Sequence, residues 1–527
     1  MTLAPVTHVD ADVAIIGSGF SGSLTALALR NRGKRVVLIE RGRHPRFAIG
    51  ESSTPLANLL IEELSDRYDL PQIRPFSKWG TWQRSRPDVA CGLKRGFTFF
   101  FHQQGAPFEE DGERSRQLMV AASPNDEVAD MHWYRPDVDR ALAQEAEAAG
   151  AVHLDGTRLE TLRHDGERTT LDGTRDGSAV RVTARFVIDA SGPRGFLHRA
   201  LGLPEAERRW LPATQGLYTH FEGVERWDRL RPAAGIPPYP IDDAAVHQVF
   251  PGGWIWMLRF NNGITSAGAA LTDPIATAID AAEGAPAWDR LLATLPSVAD
   301  QFRSARATLP FIHSPRVSFR SARAAGSTWA LLPSAAGVID PLLSTGFPLT
   351  LLGLLRVVDI LDTTSPGRQR DAALAAYERQ TLAELDATEQ LVAALYAAMA
   401  DPPLFKRLAL LYFAAASFSE AARRLGHADR APGFLLCEHP AFGPELAACA
   451  SIALSGVEGP ARLALEARID RAIEPFDTAG LLDRGRRGWY PVLASDILGS
   501  AAKLGATRAD IVRLLQRTGF SLPEDQT

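Results

Sequence analysis

A glycine-rich loop near the N-terminus has the residue types and the spacing that bind a dinucleotide. Residues 17–22 read Gly-Ser-Gly-Phe-Ser-Gly, and an acid, Glu40, follows at the distance that such sites use. The first glycine permits a tight turn, the second lets the backbone approach a pyrophosphate, and the third lets a helix pack on a strand. The acid accepts hydrogen bonds from the adenosine ribose. We therefore predict dinucleotide contacts from six residues: Gly17, Gly19, Phe20, Ser21, Gly22 and Glu40.

The segments on either side of this loop are typical of a βαβ unit. The apolar run 12–17 predicts a buried parallel strand, the Ala- and Leu-rich run 23–31 predicts a helix, and the run 35–40 predicts a second strand. The pyrophosphate would then lie over the helix N-terminus, where free backbone N–H groups favour an anion. The chain has no second glycine fingerprint for NAD(P)H.

Three further segments carry a resemblance to a known family. Residues 183–192 form an apolar strand that ends in Asp-Ala-Ser-Gly, residues 41–55 contain Gly-Glu-Ser-Ser-Thr, and residues 134–142 read Tyr-Arg-Pro-Asp-Val-Asp-Arg-Ala-Leu. With the N-terminal loop they resemble the flavin-dependent halogenases, a tryptophan- and phenol-halogenase-like branch of the FAD-dependent monooxygenase superfamily. The resemblance runs from about residue 10 to 365. It implies that FAD is the cofactor and that it is contacted by Arg41, Ser53, Thr54 and Asp189. At 333–334 this chain has Pro-Ser where the superfamily usually has an acid or amide, and we expect Ser334 to contact FAD through a hydrogen bond in its place.

Residues 340–346, Asp-Pro-Leu-Leu-Ser-Thr-Gly, resemble the halogenase loop that closes over the flavin ring. The resemblance implies that Asp340 and Gly346 contact FAD and that the backbone of Thr345 and Gly346 holds a halide. Leu343 stands where tryptophan halogenases carry a glutamate that assists proton loss, which argues against free tryptophan as the substrate. The alternative is a helix N-terminus that only shapes the flavin pocket.

Lys94 is the candidate catalytic residue. Residues 94–99 match the Lys-x-Gly-x-x-Phe pattern of the halogenase strand that carries the catalytic lysine. Its amine would capture hypohalous acid, for example as a haloamine. An arginine could not form a haloamine, because its guanidinium never loses its proton. The 57 basic residues include only five lysines. Because the chain uses arginine wherever it needs only a positive charge, a lysine at this position indicates a specific need for an amine. The alternative is a lysine at a strand end that reaches solvent.

Trp254 and Trp256 match the halogenase tryptophan box, which separates the substrate from the flavin. The family continues with Ile-Pro, whereas this chain has Leu258 and Arg259. A strand with alternating apolar residues is also typical of an ordinary core strand. The resemblance places the two tryptophans in the substrate pocket, and the altered end of the box favours hydroxylation over halogenation.

The composition excludes several other classes of protein. The net charge of −5 gives no basic face for nucleic acid. The apolar run 342–361 is interrupted by polar residues, so we predict a buried core helix and no membrane span. No signal peptide is recognisable at the N-terminus. Three cysteines without metal-ligand spacing predict no metal site, no disulfides and a cytoplasmic location.

We predict an α/β fold in two parts. Residues 1–365 would form a Rossmann-like FAD-binding domain with an inserted β-sheet substrate domain at approximately 86–130 and 205–315. Residues 366–527 would form a helical C-terminal domain. A chain of 527 residues is long enough for two or three domains.

The predicted function is that of an FAD-dependent oxidoreductase of the halogenase or monooxygenase type. The resemblance implies a flavin C4a-hydroperoxide that either hydroxylates an aromatic substrate or oxidises chloride or bromide. It also implies that oxygen is a substrate and that a separate flavin reductase supplies reduced FAD. Two alternatives stay open: a monooxygenase that modifies tryptophan residues of a partner protein, and a non-catalytic FAD-binding assembly factor.

Overall fold

Strands and helices alternate through the first two thirds of the chain, and helices dominate the last third. A computed structural model describes residues 6–207 and 209–520. In chain order the strands are β1 Thr7–Ile16, β2 Val36–Ile39, β3 Cys91–Lys94, β4 Gly96–Phe101, β5 Gln117–Ala121, β6 Asp130–Trp133, β7 Val152–Leu154, β8 Thr157–His164, β9 Thr169–Arg175, β10 Ser178–Asp189, β11 Thr214–Glu222, β12 Ala245–Phe250, β13 Gly253–Arg259, β14 Thr265–Thr272, β15 Arg306–Ala307, β16 Ile312–Ser314, β17 Phe319–Arg320, β18 Ala325–Gly326, β19 Trp329–Leu331, β20 Gly337–Val338 and β21 Trp489–Tyr490. The helices are α1 Phe20–Asn31, α2 Pro55–Tyr68, α3 Trp79–Ser85, α4 Arg135–Ala148, α5 Phe196–Ala200, α6 Trp227–Leu230, α7 Asp273–Ala278, α8 Ala285–Ala293, α9 Pro296–Phe302, α10 Pro333–Ala336, α11 Gly346–Thr363, α12 Arg368–Ala397, α13 Pro402–Arg424, α14 Phe442–Leu454, α15 Gly459–Ile473, α16 Ala494–Gly499 and α17 Arg508–Arg517.

The first sheet is built around parallel strands that bring the predicted nucleotide segments to one edge. Its order is β18-β19-β10-β1-β2-β7, with β9 and β8 added beside β10. Strands β19, β10, β1, β2 and β7 run parallel, and Ile16 of β1 pairs with both Ile39 and Asp189. Because parallel strands end at the same edge, the loops after β1, β2 and β10 converge there. The predicted α/β class and the βαβ unit are confirmed.

The second sheet is mostly antiparallel and is formed by β4, β5, β11 to β16 and β21. Its order is β15-β11-β14-β13-β12-β4-β5-β21, with β16 beside β11. The C-terminal segment is mainly helical, and it also contributes the two-residue edge strand β21, which pairs parallel with β5. A two-residue strand carries little local signal of its own, and pairing with β5 decides its conformation.

A small third ladder joins β3 to β6. Sequence reasoning treated 91–101 as one strand, but the chain breaks at Arg95, whose backbone N–H donates to the carbonyl of Asp243 at 2.7 Å. Strand β3 therefore pairs with β6 while β4 pairs with β5 and β12. This break gives Lys94 a pairing partner in β6 while the residues that follow it belong to the second sheet.

The predicted core helix is present. Within the described residues the segment Leu342–Thr363 is long and apolar enough to cross a membrane, and 72% of its most apolar window is buried inside the protein. Helix α11 packs against α12, α2, α1 and α10. Its apolar character is accounted for by this burial between the parallel sheet and the C-terminal helices.

Candidate functional site

A cavity of about 1230 Å³ lies where the loops of the parallel sheet converge. It extends from these loops to strand β13 of the second sheet and to the N-terminus of α11. Twelve of the residues predicted from the sequence line it: Gly17, Gly19, Phe20, Ser21, Glu40, Arg41, Trp254, Trp256, Ser334, Asp340, Thr345 and Gly346. A single cavity thus collects segments that are more than three hundred residues apart in the sequence.

The glycine loop is shaped by close backbone contacts. Gly17 has φ +101°, and a Cβ there would lie 2.7 Å from the carbonyl oxygen of Ala190. A Cβ on Gly22 would lie 1.8 Å from the carbonyl oxygen of Gly17, so helix α1 packs directly on the turn. Gly22 does not line the cavity, which agrees with a packing role. Only glycine fits at these two positions.

Glu40 is a charged acceptor at the wall of the cavity. It receives the backbone N–H of Ser18 at 3.0 Å, the N–H of Gly42 at 2.9 Å and the guanidinium of Arg46 at 3.2 Å. Burial alone would raise the pKa of Glu40, but Arg46 and the two N–H groups outweigh it and hold the pKa below its usual value. The carboxylate is therefore ionised, the form that accepts hydrogen bonds from ribose hydroxyls.

Arg135 and Asp139 of α4 belong to the site although sequence reasoning did not select them. The two side chains pair at 2.8 and 2.9 Å, and Arg135 also donates to the carbonyls of Ile49 and Gly50. Asp139 accepts the first N–H of α1, from Phe20, at 3.1 Å. The pair ties the 41–55 segment to the glycine loop. The i, i+4 spacing of an arginine and an acid, within a segment already recognised by resemblance, was the available signal.

Three of the predicted cofactor contacts, Ser53, Thr54 and Asp189, do not line the cavity. The Ser53 hydroxyl donates to Asn58 at 2.7 Å, and Thr54 caps α2 by accepting the N–H of Ala57. Asp189 accepts three hydrogen bonds from the loop that follows β10, from Ser191 and Leu197. All three residues hold loops in place, and their neighbours Glu51, Ser52 and Ala190 reach the cavity instead.

The loop 340–346 is strained and open toward the cavity. Leu343 and Ser344 both have positive φ, +65° and +55°, which costs energy for residues with a Cβ. Asp340 stabilises the turn by accepting the N–H of Leu342 at 3.0 Å and the Tyr396 hydroxyl at 2.8 Å. Burial raises the pKa of Asp340 to about 6. A Cβ on Gly346 would meet no described atom within 4 Å, so its backbone faces free space at the start of α11.

The tryptophan box forms a wall of the cavity next to this loop. The Trp254 ring N–H donates to the Tyr396 hydroxyl at 3.2 Å, and the Trp256 ring N–H donates to Ser266 at 3.3 Å. Leu258 continues the wall. Arg259 instead pairs with Asp242 at 3.1 Å and donates to the carbonyls of two residues after β11. The departure from the family pattern at 259 thus fastens the end of β13 and leaves the cavity wall intact.

Lys94 is completely buried beside this cavity. Its amine donates to the Ser52 hydroxyl at 2.9 Å and to the carbonyl of Ser53, and lies 3.8 Å above the ring of Phe97. Ser52 lines the large cavity, whereas Lys94 itself does not. Burial lowers the pKa of Lys94 to about 7, against the opposing charge of Asp130. The reading of a lysine that reaches solvent is therefore wrong, and a neutral amine is accessible near neutral pH.

A second cavity, of about 170 Å³, is lined by residues next to Lys94. Thr54 and Phe97, which flank the lysine, line it together with Tyr412 and Phe413 of α13. Its wall is completed by apolar residues of the C-terminal segment, with Lys78, Glu420 and Arg424 as charged members. Sequence reasoning did not identify this cavity, because the helical spacing of its residues is that of ordinary packing. Lys94 lines neither cavity but contacts one lining residue of each, Ser52 of the larger and Phe97 of the smaller.

Comparisons with known proteins agree with this geometry. A family model described as FAD dependent oxidoreductase matches residues 12–323. The chain is 34% identical to tetracycline 7-halogenase of Kitasatospora aureofaciens over 64% of its own length and 60% of that protein. It is 32% identical to monodechloroaminopyrrolnitrin halogenase PrnC of Pseudomonas fluorescens over 74% of its length and 68% of that protein.

A solved structure is similar over almost the whole chain. The crystal structure of halogenase PltM in complex with phloroglucinol and FAD superposes with a TM-score of 0.80 at 26% identity. The similarity covers 91% of this chain and 99% of PltM. It therefore includes both sheets and most of the C-terminal helices.

Proposed function

The chain belongs to the FAD-dependent oxidoreductases, with flavin-dependent halogenases as its relatives, and from this premise we propose that it attaches chlorine or bromine to an electron-rich aromatic substrate. The observation that carries the proposal is the position of Lys94. Its buried amine contacts Ser52, which lines the cavity that fits the cofactor, and Phe97, which lines a second cavity with aromatic residues. Such a position suits a group that passes a reactive halogen from one cavity to the other.

FAD fits the larger cavity on three observations. The close contacts at Gly17 and Gly22 leave a cradle of backbone at the start of α1, Glu40 is an ionised acceptor, and the cavity volume suits a long dinucleotide. The loop 17–22 would hold the pyrophosphate, Glu40 the ribose, and the walls at Trp254 and Thr345 the flavin ring. When bound and reduced, FAD supplies the activation of oxygen that oxidises a halide to hypohalous acid.

The halide would lie at the start of α11. The backbone N–H groups of Thr345 and Gly346 belong to a helix N-terminus, which favours an anion. The strained residues Leu343 and Ser344 turn the chain so that Gly346 borders the cavity. We propose that chloride or bromide binds here.

The Lys94 amine would then accept the halogen. In its neutral form the nitrogen attacks hypohalous acid, an N–H bond is replaced by an N–halogen bond, and water leaves. The transfer to the substrate breaks the N–halogen bond and forms a carbon–halogen bond, and the ring proton returns to nitrogen. An amine with a pKa of about 7 has the neutral form available for the first step. Trp254 and Trp256 keep the substrate away from the flavin side.

The smaller cavity is the proposed substrate site. Phe97, Tyr412 and Phe413 offer ring faces to an aromatic substrate. Leu343 supplies no carboxylate to assist proton loss, so we expect a ring activated by its own hydroxyl or amino group. A separate flavin reductase is part of the proposal, because the chain has no NAD(P)H fingerprint.

The alternatives are not favoured. The altered tryptophan box had favoured hydroxylation, but Arg259 is turned out of the cavity wall and Leu258 preserves it. The two relatives and the solved structure compared above are halogenases. A non-catalytic assembly factor would not need a buried amine with a lowered pKa in contact with lining residues of two cavities.

A direct assay tests the proposed function. The protein is incubated with FAD, a flavin reductase with NADH, oxygen, sodium bromide and either phloroglucinol or indole, and the products are weighed by mass spectrometry. We expect a product with the bromine isotope pattern, and none when halide is omitted. A hydroxylated product that forms equally well without halide would show that the enzyme is a monooxygenase of another kind.

A further inference from the structure

Strand β6 pairs on one edge with the strand that carries the buried lysine and on the other edge with the segment that borders the larger cavity. In the β3–β6 ladder Lys94 pairs directly with Asp130, and His132 of the same strand forms a bridge with Ser52 on its other edge. Residues that pair directly in antiparallel strands place their side chains on the same face. Lys94, Asp130, His132 and Ser52 therefore face one small region beside the cavity.

A chain of hydrogen bonds connects Asp130 back to the lysine. The Asn58 side chain donates to one Asp130 oxygen at 2.7 Å, and the Ser53 hydroxyl donates to Asn58 at 2.7 Å. The carbonyl of Ser53 accepts the Lys94 amine. The second Asp130 oxygen is buried and has no hydrogen-bond partner among the described residues. A carboxyl in this position is either protonated or balanced by the nearby amine.

We infer that Asp130 is a positioning residue for Lys94: through the Asn58–Ser53 chain and its own charge it fixes the orientation and the proton of the buried amine. The inference rests on the proposed function, in which that amine carries the halogen. The proposed steps need the neutral amine, and the charge of an adjacent carboxylate favours the protonated form of a buried amine, so that carboxylate sets how much of the neutral form is present at a given pH. No role for Asp130 is needed to bind FAD.

The other titratable groups near this pair are neutral or paired with each other, so Asp130 is the group whose charge acts on Lys94. Burial holds the pKa of His132 well below its usual value and that of His247 at about 3, so both are neutral. The Tyr412 hydroxyl is neutral because burial raises its pKa. Glu420 and Arg424 act on Asp130 from α13, but they pair with each other at 2.8 Å.

The test is a titration of Lys94 itself in the full-length, FAD-loaded protein. With lysine labelled by 13C at the ε carbon the chain gives five lysine signals, and Lys94→Arg identifies the one that belongs to Lys94. We expect this signal to titrate near pH 7 in the wild type. In Asp130→Asn we expect the midpoint to fall by about one pH unit or more, because a nearby negative charge is lost.

A matched control is Asp126→Asn, which removes an exposed carboxylate that pairs with Arg95 next to Lys94. Its Lys94 midpoint should stay at the wild-type value. Equal midpoints in wild type, Asp126→Asn and Asp130→Asn would overturn the inference. If Asp130→Asn does not fold, Asn58→Ser is measured in the same way: a lowered midpoint supports the coupling and an unchanged one overturns it.

The halogenation assay then separates the inference from the proposed function. The pH at which bromination reaches half its maximum should move with the Lys94 midpoint in Asp130→Asn and stay fixed in Asp126→Asn. A shifted midpoint in a protein that brominates nothing would support the coupling and refute the function. Bromination with a pH profile that is the same in all three proteins would refute the role of Asp130 and keep the function.

Discussion

The two ends of the site are built in opposite ways. At the nucleotide end the working groups are backbone N–H groups of one continuous loop, and the charged side chains there are paired, as in Glu40–Arg46 and Arg135–Asp139. At the lysine end the groups are side chains from separate segments, and the amine and carboxyl are buried without a direct ion pair. A site that only binds can keep its charges fixed, whereas a site that transfers an atom needs groups whose protonation can change.

The largest effect is expected at the nucleotide end, from Gly19→Val. A side chain at this position would occupy the space of the pyrophosphate, so FAD binding should be abolished. The apoprotein should stay folded, since the nearest atom to a Cβ is the flexible end of Arg135 at 3.3 Å. Flavin absorbance after gel filtration and thermal unfolding of the apoprotein measure the two quantities. Gly22→Val, with its backbone clash, should instead lower the stability. Wild-type FAD binding in Gly19→Val would contradict the assignment.

Lys94→Arg tests the other end without changing the charge. The guanidinium keeps its proton, so it cannot form the haloamine. We expect the yield of halogenated product to fall at least about 100-fold, while oxygen is still consumed and hydrogen peroxide accumulates. Lys34→Arg, at a lysine that lines neither cavity, is the matched control and should retain product. An unchanged yield in Lys94→Arg would remove the lysine from the mechanism.

The stability of the protein should also reveal the unusual state of Lys94. Its pKa falls from 10.5 in the unfolded chain to about 7 in the fold, so unfolding takes up a proton between these values. The free energy of unfolding should therefore rise with pH from 7 to 10.5, and the cost of the buried amine is largest below pH 7. Lys94→Met should abolish this slope and stabilise the apoprotein at pH 6 by roughly 2–4 kcal/mol, after the lost hydrogen bonds are counted.

Urea unfolding at pH 6, 8 and 10 measures this difference, with the half-exposed Lys34→Met as control. If Lys94→Met is less stable than the wild type at pH 6, the amine is better accommodated than its burial suggests. The contrast between the two ends of the site would then be weaker than we describe.

The smallest effect is expected from Glu40→Ala. The variant loses one charged acceptor for the ribose while the glycine loop remains. We expect FAD affinity to fall by roughly 1–3 kcal/mol, about 5- to 150-fold. Glu160→Ala removes an exposed acid at the rim of the same cavity and should change the affinity little. Fluorescence titration of FAD gives both constants. A loss as complete as that in Gly19→Val would show that the side chain and the backbone contribute equally.

The sequence by itself determined the nucleotide end and identified the residues that we propose for the chemistry. The loop 17–22, Glu40 and the strands around them lie within thirty residues, and their geometry follows from local backbone rules. Lys94, the loop 340–346 and the tryptophan pair were recognisable because each is a short continuous pattern. All of them lie in or beside one cavity in the structure.

Only the tertiary structure decided which neighbours these residues have. Within the 41–55 segment the sequence placed Ser53 and Thr54 at the cofactor, but the chain turns so that Ser52 reaches the cavity while its neighbours hold Lys94 and α2. Asp130 belongs to no recognisable sequence motif. Its proposed role became visible only in the structure, where β6 lies between β3 and the 41–55 segment. The second cavity likewise depends on tertiary packing, because α13 lines it together with Phe97 although the two are more than three hundred residues apart in the sequence. A buried pKa and a shared wall arise from the packing of distant segments, which local sequence patterns do not encode.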